Sequence, residues 1–181
     1  MARPRTITDD RLLAALAQVI NDKGPGFTIA DVAARAGVSV GTVAQRFGSK
    51  HGLLKALSQA AITRAVDVVR AAAPGGPRAA LVAFFGDLDD PAAASRNIGQ
   101  FAVDLADPEL RTLLAELFAT LVAELTPLLH DLPGAPPHAA RLLVSLANGT
   151  AVDWSIRPRG SLVDRLTTDI DTVLDGWRKD A

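Results

Sequence analysis

The chain alternates between segments with apolar residues at helical spacing and short breaks rich in Gly and Pro. Residues 12–20 carry Leu, Val and Ile three or four positions apart, after a capping signal at Thr8 and before a Gly-Pro-Gly break at 24–26. The pattern predicts about nine helices, over residues 9–23, 29–36, 40–47, 49–73, 78–88, 92–105, 108–130, 138–156 and 162–178. No segment alternates apolar and polar residues as a half-buried strand does, so the predicted fold class is all-α.

Prolines and capping residues define several of these boundaries. Asp90-Pro91 and Asp107-Pro108 each have a capping residue followed by proline at the first helical position. Pro127 is expected to kink or end the helix that begins near residue 108. Ser161 and Asp164 have the spacing of a capping box, with Asp in place of the usual Glu.

Composition excludes several classes of protein. With 181 residues and 49% apolar residues, the chain can bury a sizeable core. It has no Cys, which excludes disulfides, thiolate zinc sites, iron–sulfur clusters and a cysteine nucleophile. No apolar run approaches the ~20 residues of a membrane span. No apolar signal segment follows residues 1–5, so we predict a cytoplasmic protein.

Charge is divided unevenly along the chain. Residues 1–55 carry eight Lys and Arg, including Arg3 and Arg5, against four Asp, whereas residues 56–181 carry 11 basic and 16 acidic residues. A basic segment in a nearly neutral chain is typical of contact with nucleic acid. We therefore predict a DNA-binding domain over residues 1–55 and a larger helical domain over residues 56–181.

Residues 28–50 contain the parts of a helix-turn-helix unit. Gly37 lies between two short predicted helices, where its backbone can adopt a left-handed conformation at low cost. Ala33 is small where the second helix must cross, and Val38 fills the angle between the helices. Val43 and Phe47 lie four positions apart and turn the apolar face of the second helix inward.

The outward face of this second helix is suited to the major groove, because its first turn is small and its second turn is polar. Val40 and Thr42 offer methyl groups to thymine, whereas Gln45 can pair with adenine. Arg46 can reach guanine or phosphate, and hydroxyls at helix N-termini can bind phosphate. The predicted DNA contacts are Thr28, Ser39, Val40, Gly41, Thr42, Gln45, Arg46 and Lys50.

Residues 7–57 resemble the N-terminal domain of the TetR family of bacterial transcriptional regulators. The resemblance rests on Phe27-Thr28-Ile29, Val32-Ala33, the run from Ala36 to Thr42, Phe47, Ser49-Lys50 and Leu53-Leu54. It implies a homodimeric repressor that binds a near-palindromic operator. It further implies a C-terminal domain that binds a small effector, and a dimer interface formed by the helices near 138–156 and 162–178.

The sequence departs from the family pattern in the recognition helix. The family usually has an aromatic residue where this chain has Ala44, and commonly His where it has Arg46. The missing phenol removes a phosphate contact, which the longer and permanently charged Arg46 can restore. The operator sequence of relatives therefore cannot be transferred to this chain.

A ligand pocket is expected among the helices between residues 78 and 156. The predicted lining is Phe84, Phe85, Leu88, Phe101, Leu105, Leu117, Phe118, Leu121, Asn148 and Trp154. Gln100 and Asp104 are further candidates for the few polar groups that such sites contain. With no Tyr and two Trp, an aromatic cage for a cation is disfavoured, so we expect a mainly apolar effector.

Catalytic and metal sites are not predicted. His51, His130 and His138 lie in different segments without the paired spacing of metal ligands, and no nucleophile–base arrangement or phosphate loop is present. We therefore expect neither an enzyme nor a bound cofactor. Two alternatives remain at this point: a helical small-molecule-binding protein with a vestigial DNA-binding unit, and a transcriptional activator.

Overall fold

The computed structural model describes residues 7–179, so the predictions for residues 1–6, including Arg3 and Arg5, lie outside the described residues. The described part of the chain contains nine α-helices, four short 3₁₀ turns and no strand, which confirms the all-α prediction. The helices are α1 (Asp9–Lys23), α2 (Ile29–Ala36), α3 (Val40–Phe47), α4 (Lys50–Ala72), α5 (Gly76–Phe85), α6 (Ala94–Ala106), α7 (Pro108–Leu125), α8 (Ala139–Ile156) and α9 (Leu162–Lys179).

Of the two helix starts predicted from a capping residue followed by proline, one is confirmed and the other is wrong. The Asp107 carboxylate accepts the backbone N–H groups of Glu109 (2.9 Å) and Leu110 (3.0 Å), so α7 begins as predicted. The prediction for Asp90 is wrong, because its carboxylate accepts the Ala92 N–H within a turn and α6 begins only at Ala94. Pro127 lies in the 3₁₀ turn Thr126–Leu129, which ends the seventh helix.

The start of α9 is capped from a distant part of the chain. The Ser161 hydroxyl donates to the Asp89 carboxylate at 2.6 Å, and the same carboxylate accepts the Leu162 N–H at 3.0 Å. Burial favours the neutral form of Asp89, but these hydrogen bonds outweigh it and lower the pKa of the carboxyl below its ordinary value. The last helix is thereby anchored to the segment between α5 and α6.

Two separate clusters of buried apolar residues form the interior. The first joins α1, α2, α3 and the start of α4, and Leu110 of α7 completes it. The second joins the later part of α4 to α5 and to α7 through α9, with Trp154 fully buried. Helix α4 is continuous between the clusters, and the predicted domain boundary at residues 55 and 56 lies within it. The division into two domains stays a prediction.

One helix is apolar and long enough to span a membrane by length and composition alone. The segment Pro108–Leu129 has 22 residues and a mean hydropathy of 1.6 over an 18-residue window, so the expectation that no such run exists is wrong. A single helix of this kind is weak evidence for a membrane protein, because helices of soluble folds meet the same criteria. Only 17% of that window is buried, which leaves apolar surface on α7.

Candidate DNA-binding interface and ligand cavity

Capping interactions fix the α2–α3 unit locally. Thr28 and Asp31 form a reciprocal capping box at the start of α2, in which the Thr28 N–H donates to the Asp31 carboxylate at 2.8 Å. A salt bridge from Lys23, followed by the Thr28 hydrogen bonds, lowers the pKa of Asp31 to about 2. Gly37 ends α2 with a φ of 69°, the left-handed conformation that its position predicted.

Helix α3 buries one side and leaves its first turn open to solvent. Val43 is fully buried in the first cluster, whereas Val40 at the N-terminus of the helix is 49% exposed. The Ser39 hydroxyl accepts the Thr42 N–H at 3.1 Å, which satisfies one of the free N–H groups at the start of the helix. Gly41 is exposed beside Ser39 and Val40, so the first turn presents only small side chains to solvent.

The predicted DNA contacts differ in how far they are exposed to solvent. Thr42 is half-buried, Gln45 is exposed, and Thr28 is exposed at the neighbouring N-terminus of α2. Arg46 is half-buried, and its Nη1 donates to the Asp9 carboxylate of α1 at 2.7 Å. Gln45 and Thr28 are therefore accessible, Arg46 is held by an acidic side chain, and the contacts of all these residues with DNA stay predictions.

Lys50 has a second set of contacts that the sequence did not indicate. Its Nζ lies 4.3 Å from the centroid of the Phe27 ring and donates to the Pro25 carbonyl at 2.5 Å. These contacts join the start of α4 to the segment between α1 and α2. Lys50 consequently supports the fold of the N-terminal unit, and its predicted role at the DNA backbone remains untested.

Gly52 fixes the angle between α3 and α4, a role that the sequence analysis did not assign. A Cβ atom at this position would lie 1.9 Å from the Phe47 carbonyl oxygen, which ends α3. We expect Gly52→Ala to force the two helices apart and to cost about 1–3 kcal/mol of unfolding free energy or more. Thermal unfolding monitored by circular dichroism measures this loss. Gly26→Ala is the control, since a Cβ there meets nothing within 4 Å.

The candidate ligand cavity lies between the N-terminal unit and the rest of the chain. Its volume is about 290 Å³, and its lining comes from α1, α4, α6, α8 and Leu88 before α6. The lining residues are Ala17, Ile20, Asn21, Leu57, Leu88, Asn97, Ile98, Gln100, Phe101, Asp104, Asn148, Ala151, Val152 and Ser155. Sequence reasoning missed the contributions of α1 and α4, because it assigned residues 1–55 to DNA binding and expected the pocket only among the helices between residues 78 and 156.

The structure brings together three of the ten predicted ligand contacts, Leu88, Phe101 and Asn148, in this cavity. Asn148 also lines a second, open cavity of about 480 Å³ between α7 and α8, which Phe118 borders. Leu105 is 42% exposed on α6 and lines neither cavity. The other five predicted contacts pack in or against the second cluster: Phe84, Phe85, Leu117, Leu121 and Trp154.

Two polar groups from α6 stand out in the lining. The Gln100 Nε2 donates to the Asp104 carboxylate at 2.9 Å, and Gln100 is 7% exposed. Burial raises the pKa of the Asp104 carboxyl above its ordinary value; the Gln100 hydrogen bond opposes this shift and the nearby Asp107 carboxylate adds to it. Among residues 7–179, no Lys, Arg or His side chain lines the cavity.

Several contacts connect α6 and α7 to the N-terminal unit. The Arg96 side chain of α6 donates to the Asn21 carbonyl of α1, and a Cβ at Gly99 would lie 3.2 Å from Pro25. Lys55 of α4 forms a salt bridge with Glu109 of α7 at 2.5 Å, which is the main cause of the lowered pKa of Glu109. Helix α6 is therefore in direct contact with the end of α1 and with the segment that precedes α2.

Helix α8 carries an apolar surface on its outer side. Leu142 is 36% exposed and Ile156 is 69% exposed, with Gly149 exposed between them. A Cβ at Gly149 would meet nothing within 4 Å. Helix α9, in contrast, buries its apolar stripe within the protomer, at Leu162, Leu166, Ile170 and Leu174.

Known proteins with similar sequences are transcriptional regulators. The family model described as "Bacterial regulatory proteins, tetR family" matches residues 12–57. The HTH-type transcriptional regulator BetI of Burkholderia mallei is 42% identical over 85 residues, a match that covers 42% of this chain and 42% of that protein. The match thus spans less than half the length of either protein.

Solved structures resemble nearly the whole chain. A transcriptional regulator from Rhodococcus sp. Rha1 is 27% identical, with a TM-score of 0.72 over 94% of this chain and 97% of that one. The multidrug binding protein EbrR, solved in complex with imidazole, is 22% identical with a TM-score of 0.65, over 93% of each chain. The similarity to EbrR concerns the fold alone.

Proposed function

Because the chain belongs to the TetR family of bacterial transcriptional regulators, we propose that it is a homodimeric repressor whose operator binding is released by a small effector. In this proposal, two α3 helices of a symmetric pair enter adjacent major grooves of a near-palindromic operator, about one helical turn apart. The effector occupies the cavity between α1, α4, α6 and α8.

The open first turn of α3 is the observation that carries the DNA-binding part of this proposal. Small side chains in the first turn let the helix backbone approach base edges closely, and Ser39, Val40 and Gly41 form such a surface. The long polar side chains of Gln45 and Arg46, which can extend to bases or phosphates, follow one helical turn later. The N-termini of α2 and α3 add hydroxyl and N–H groups that can bind phosphate.

Arg46 is expected to contribute one phosphate or base contact after it leaves Asp9. The Arg46→Ala protein should bind its operator more weakly, and the slope of log K against log salt concentration should become shallower by about 0.9. Asp9→Asn is the matched comparison, because it releases Arg46 from its salt bridge and should strengthen binding. Fluorescence anisotropy at several salt concentrations measures both; an unchanged slope together with unchanged affinity in Arg46→Ala would exclude this contact.

The exposed surface of α8 supports the proposal that the protein is a dimer. Leu142 and Ile156 leave apolar area in water, and Gly149 lets a partner helix approach closely between them. The apolar surface left on α7 lies beside it, at the open cavity between α7 and α8. We propose that α8 supplies the apolar part of the interface and that the polar outer side of α9 forms its rim.

The position of the cavity supports release by a ligand. An occupant would contact α1 and α4 of the DNA-binding unit and also α6 and α8. A ligand shifts an equilibrium only by its difference in affinity between two states. A ligand that fits best when α1 and α6 are displaced would therefore change the spacing of the two α3 helices.

In vitro selection from fragmented genomic DNA tests the proposed function. Purified protein should enrich fragments that share a two-fold symmetric motif, and footprinting should place that motif at a promoter. Failure to enrich any motif would favour the alternative of a small-molecule-binding protein with a vestigial DNA-binding unit. A footprint upstream of the promoter with increased transcription would instead indicate an activator.

A further inference from the structure

Gln100 and Asp104, neighbours in the lining of the cavity between α1, α4, α6 and α8, combine a buried hydrogen-bond acceptor that has no donor with a carboxylate that has no positively charged partner. Gln100 Nε2 donates to the Asp104 carboxylate, and this bond fixes the orientation of the amide when Asp104 is ionised, because an ionised carboxylate only accepts hydrogen bonds. Gln100 Oε1 is consequently the free acceptor. It is buried and has no hydrogen-bond partner among the described residues.

Asp104 lacks a positive partner. No basic side chain lines the cavity, and none of the salt bridges within residues 7–179 involves this carboxylate. Its burial disfavours the charged form, as the raised pKa reflects. A buried acceptor and a partly buried carboxylate both reduce stability unless a donor, preferably a charged one, is supplied.

We propose that the effector is a small primary or secondary ammonium compound with an alkyl or aryl body, an inference that rests on the proposed function of this cavity. Its N–H groups donate to Asp104 and to Gln100 Oε1, and its positive charge pairs with the carboxylate. The body packs on the apolar lining supplied by Ile20, Leu57 and Phe101.

The size and lining of the cavity narrow this class further. Its volume of about 290 Å³ lies at the lower end of the range for small-molecule sites, so the ligand is small. Phe101 is the single aromatic residue in the lining, which provides no aromatic cage for a quaternary ammonium group. A quaternary ammonium group also has no N–H to donate to Gln100 Oε1.

Calorimetric titration of the purified full-length protein, without DNA, tests the inference with four probes that share one alkyl chain: n-hexylammonium, hexyltrimethylammonium, hexan-1-ol and hexanoate. n-Hexylammonium is expected to bind at least about tenfold more tightly than each of the others, because it alone offers both charge and N–H donors. Equal or tighter binding of hexanol or hexanoate would overturn the proposed ligand class, as would the absence of hexylammonium binding.

Variants separate recognition from a structural role. Asp104→Asn should weaken hexylammonium binding at least about tenfold while leaving hexanol binding unchanged. The melting temperature of this variant should not fall, because the substitution removes a partly buried charge. Asp131→Asn, which changes an exposed carboxylate in the turn after α7, is the matched control and should bind all four probes as the wild type does. Unchanged hexylammonium affinity in Asp104→Asn would contradict the inference.

A parallel measurement of operator binding distinguishes this inference from the proposed function. If hexylammonium binds selectively but does not release the operator, the ligand class stands and the effector role of the cavity fails. If the protein binds an operator but shows no preference for hexylammonium, the inference fails and the DNA-binding function stands. The two claims therefore fail in different assays.

Discussion

A Gly41→Glu substitution is expected to stabilise the folded protomer and to abolish operator binding. Gly41 lies in the first turn of α3, where a Cβ atom would meet only the Ser39 hydroxyl at an ordinary contact distance of 3.7 Å. Replacing an exposed helical glycine raises helix stability by about 0.5–1 kcal/mol, and an acidic residue near a helix N-terminus adds to this. The fold therefore tolerates the change.

The same side chain would block the approach of α3 to the base edges. It adds bulk to the leading surface of the helix and brings a negative charge toward phosphates, so operator affinity should fall at least about 100-fold. Gly41→Ala and Gly41→Gln are the controls: the first tests a single methyl group, and the second has the size of Glu without its charge. Thermal unfolding and fluorescence anisotropy give the two opposite effects. Near-wild-type affinity in Gly41→Glu would place the DNA contact elsewhere.

A Gly149→Arg substitution is expected to convert the protein to a monomer and to weaken operator binding at least about 100-fold. Gly149 is exposed in the middle of α8, where a side chain meets nothing within the protomer. Glycine in a helix interior costs about 1 kcal/mol relative to Ala, so its presence here is consistent with close approach by a partner helix. The arginine would occupy the space of that partner.

The loss in affinity follows from losing the link between two half-site contacts. In a dimer, once one α3 helix has bound its half-site, the second α3 helix binds the other half-site as an intramolecular step. Two monomers must instead bind the two half-sites in separate association steps. Analytical ultracentrifugation and operator titration measure the two effects. Ala83→Arg, which adds the same charge at an exposed position of α5, should remain dimeric and bind DNA normally. A Gly149→Arg protein that stays dimeric would show that α8 is not the interface.

The N-terminal unit was predictable because its determinants are local. Thr28, Gly37 and Ser39 act on residues within four positions of themselves, and Val43 and Phe47 repeat at the helical period. Such features are readable without knowledge of the rest of the fold. The role of Gly52 was not readable, because it depends on the position of the Phe47 carbonyl at the end of the preceding helix.

The ligand cavity was only partly predictable, because its walls come from distant segments. Ile20 of α1 and Phe101 of α6 face the same space although about eighty positions separate them in the chain, and nothing in the sequence records this pairing. Trp154 was wrongly placed in the lining, because a large apolar residue suits core packing as well as ligand contact. The structure shows Trp154 fully buried, with its Nε1 donating to the Gly160 carbonyl at 3.2 Å. Gln100 and Asp104 were identifiable as polar residues on an apolar helix, but their shared hydrogen bond was not.

Methylation interference on a selected operator shows directly whether α3 reads the major groove. Methylation of guanine N7 modifies the major groove, whereas methylation of adenine N3 modifies the minor groove. If two α3 helices read the DNA, guanine methylation should prevent binding in two clusters related by two-fold symmetry, with their centres about 10 base pairs apart or a multiple of that. Interference confined to adenine N3, or to a single cluster, would exclude binding by two α3 helices in the major groove.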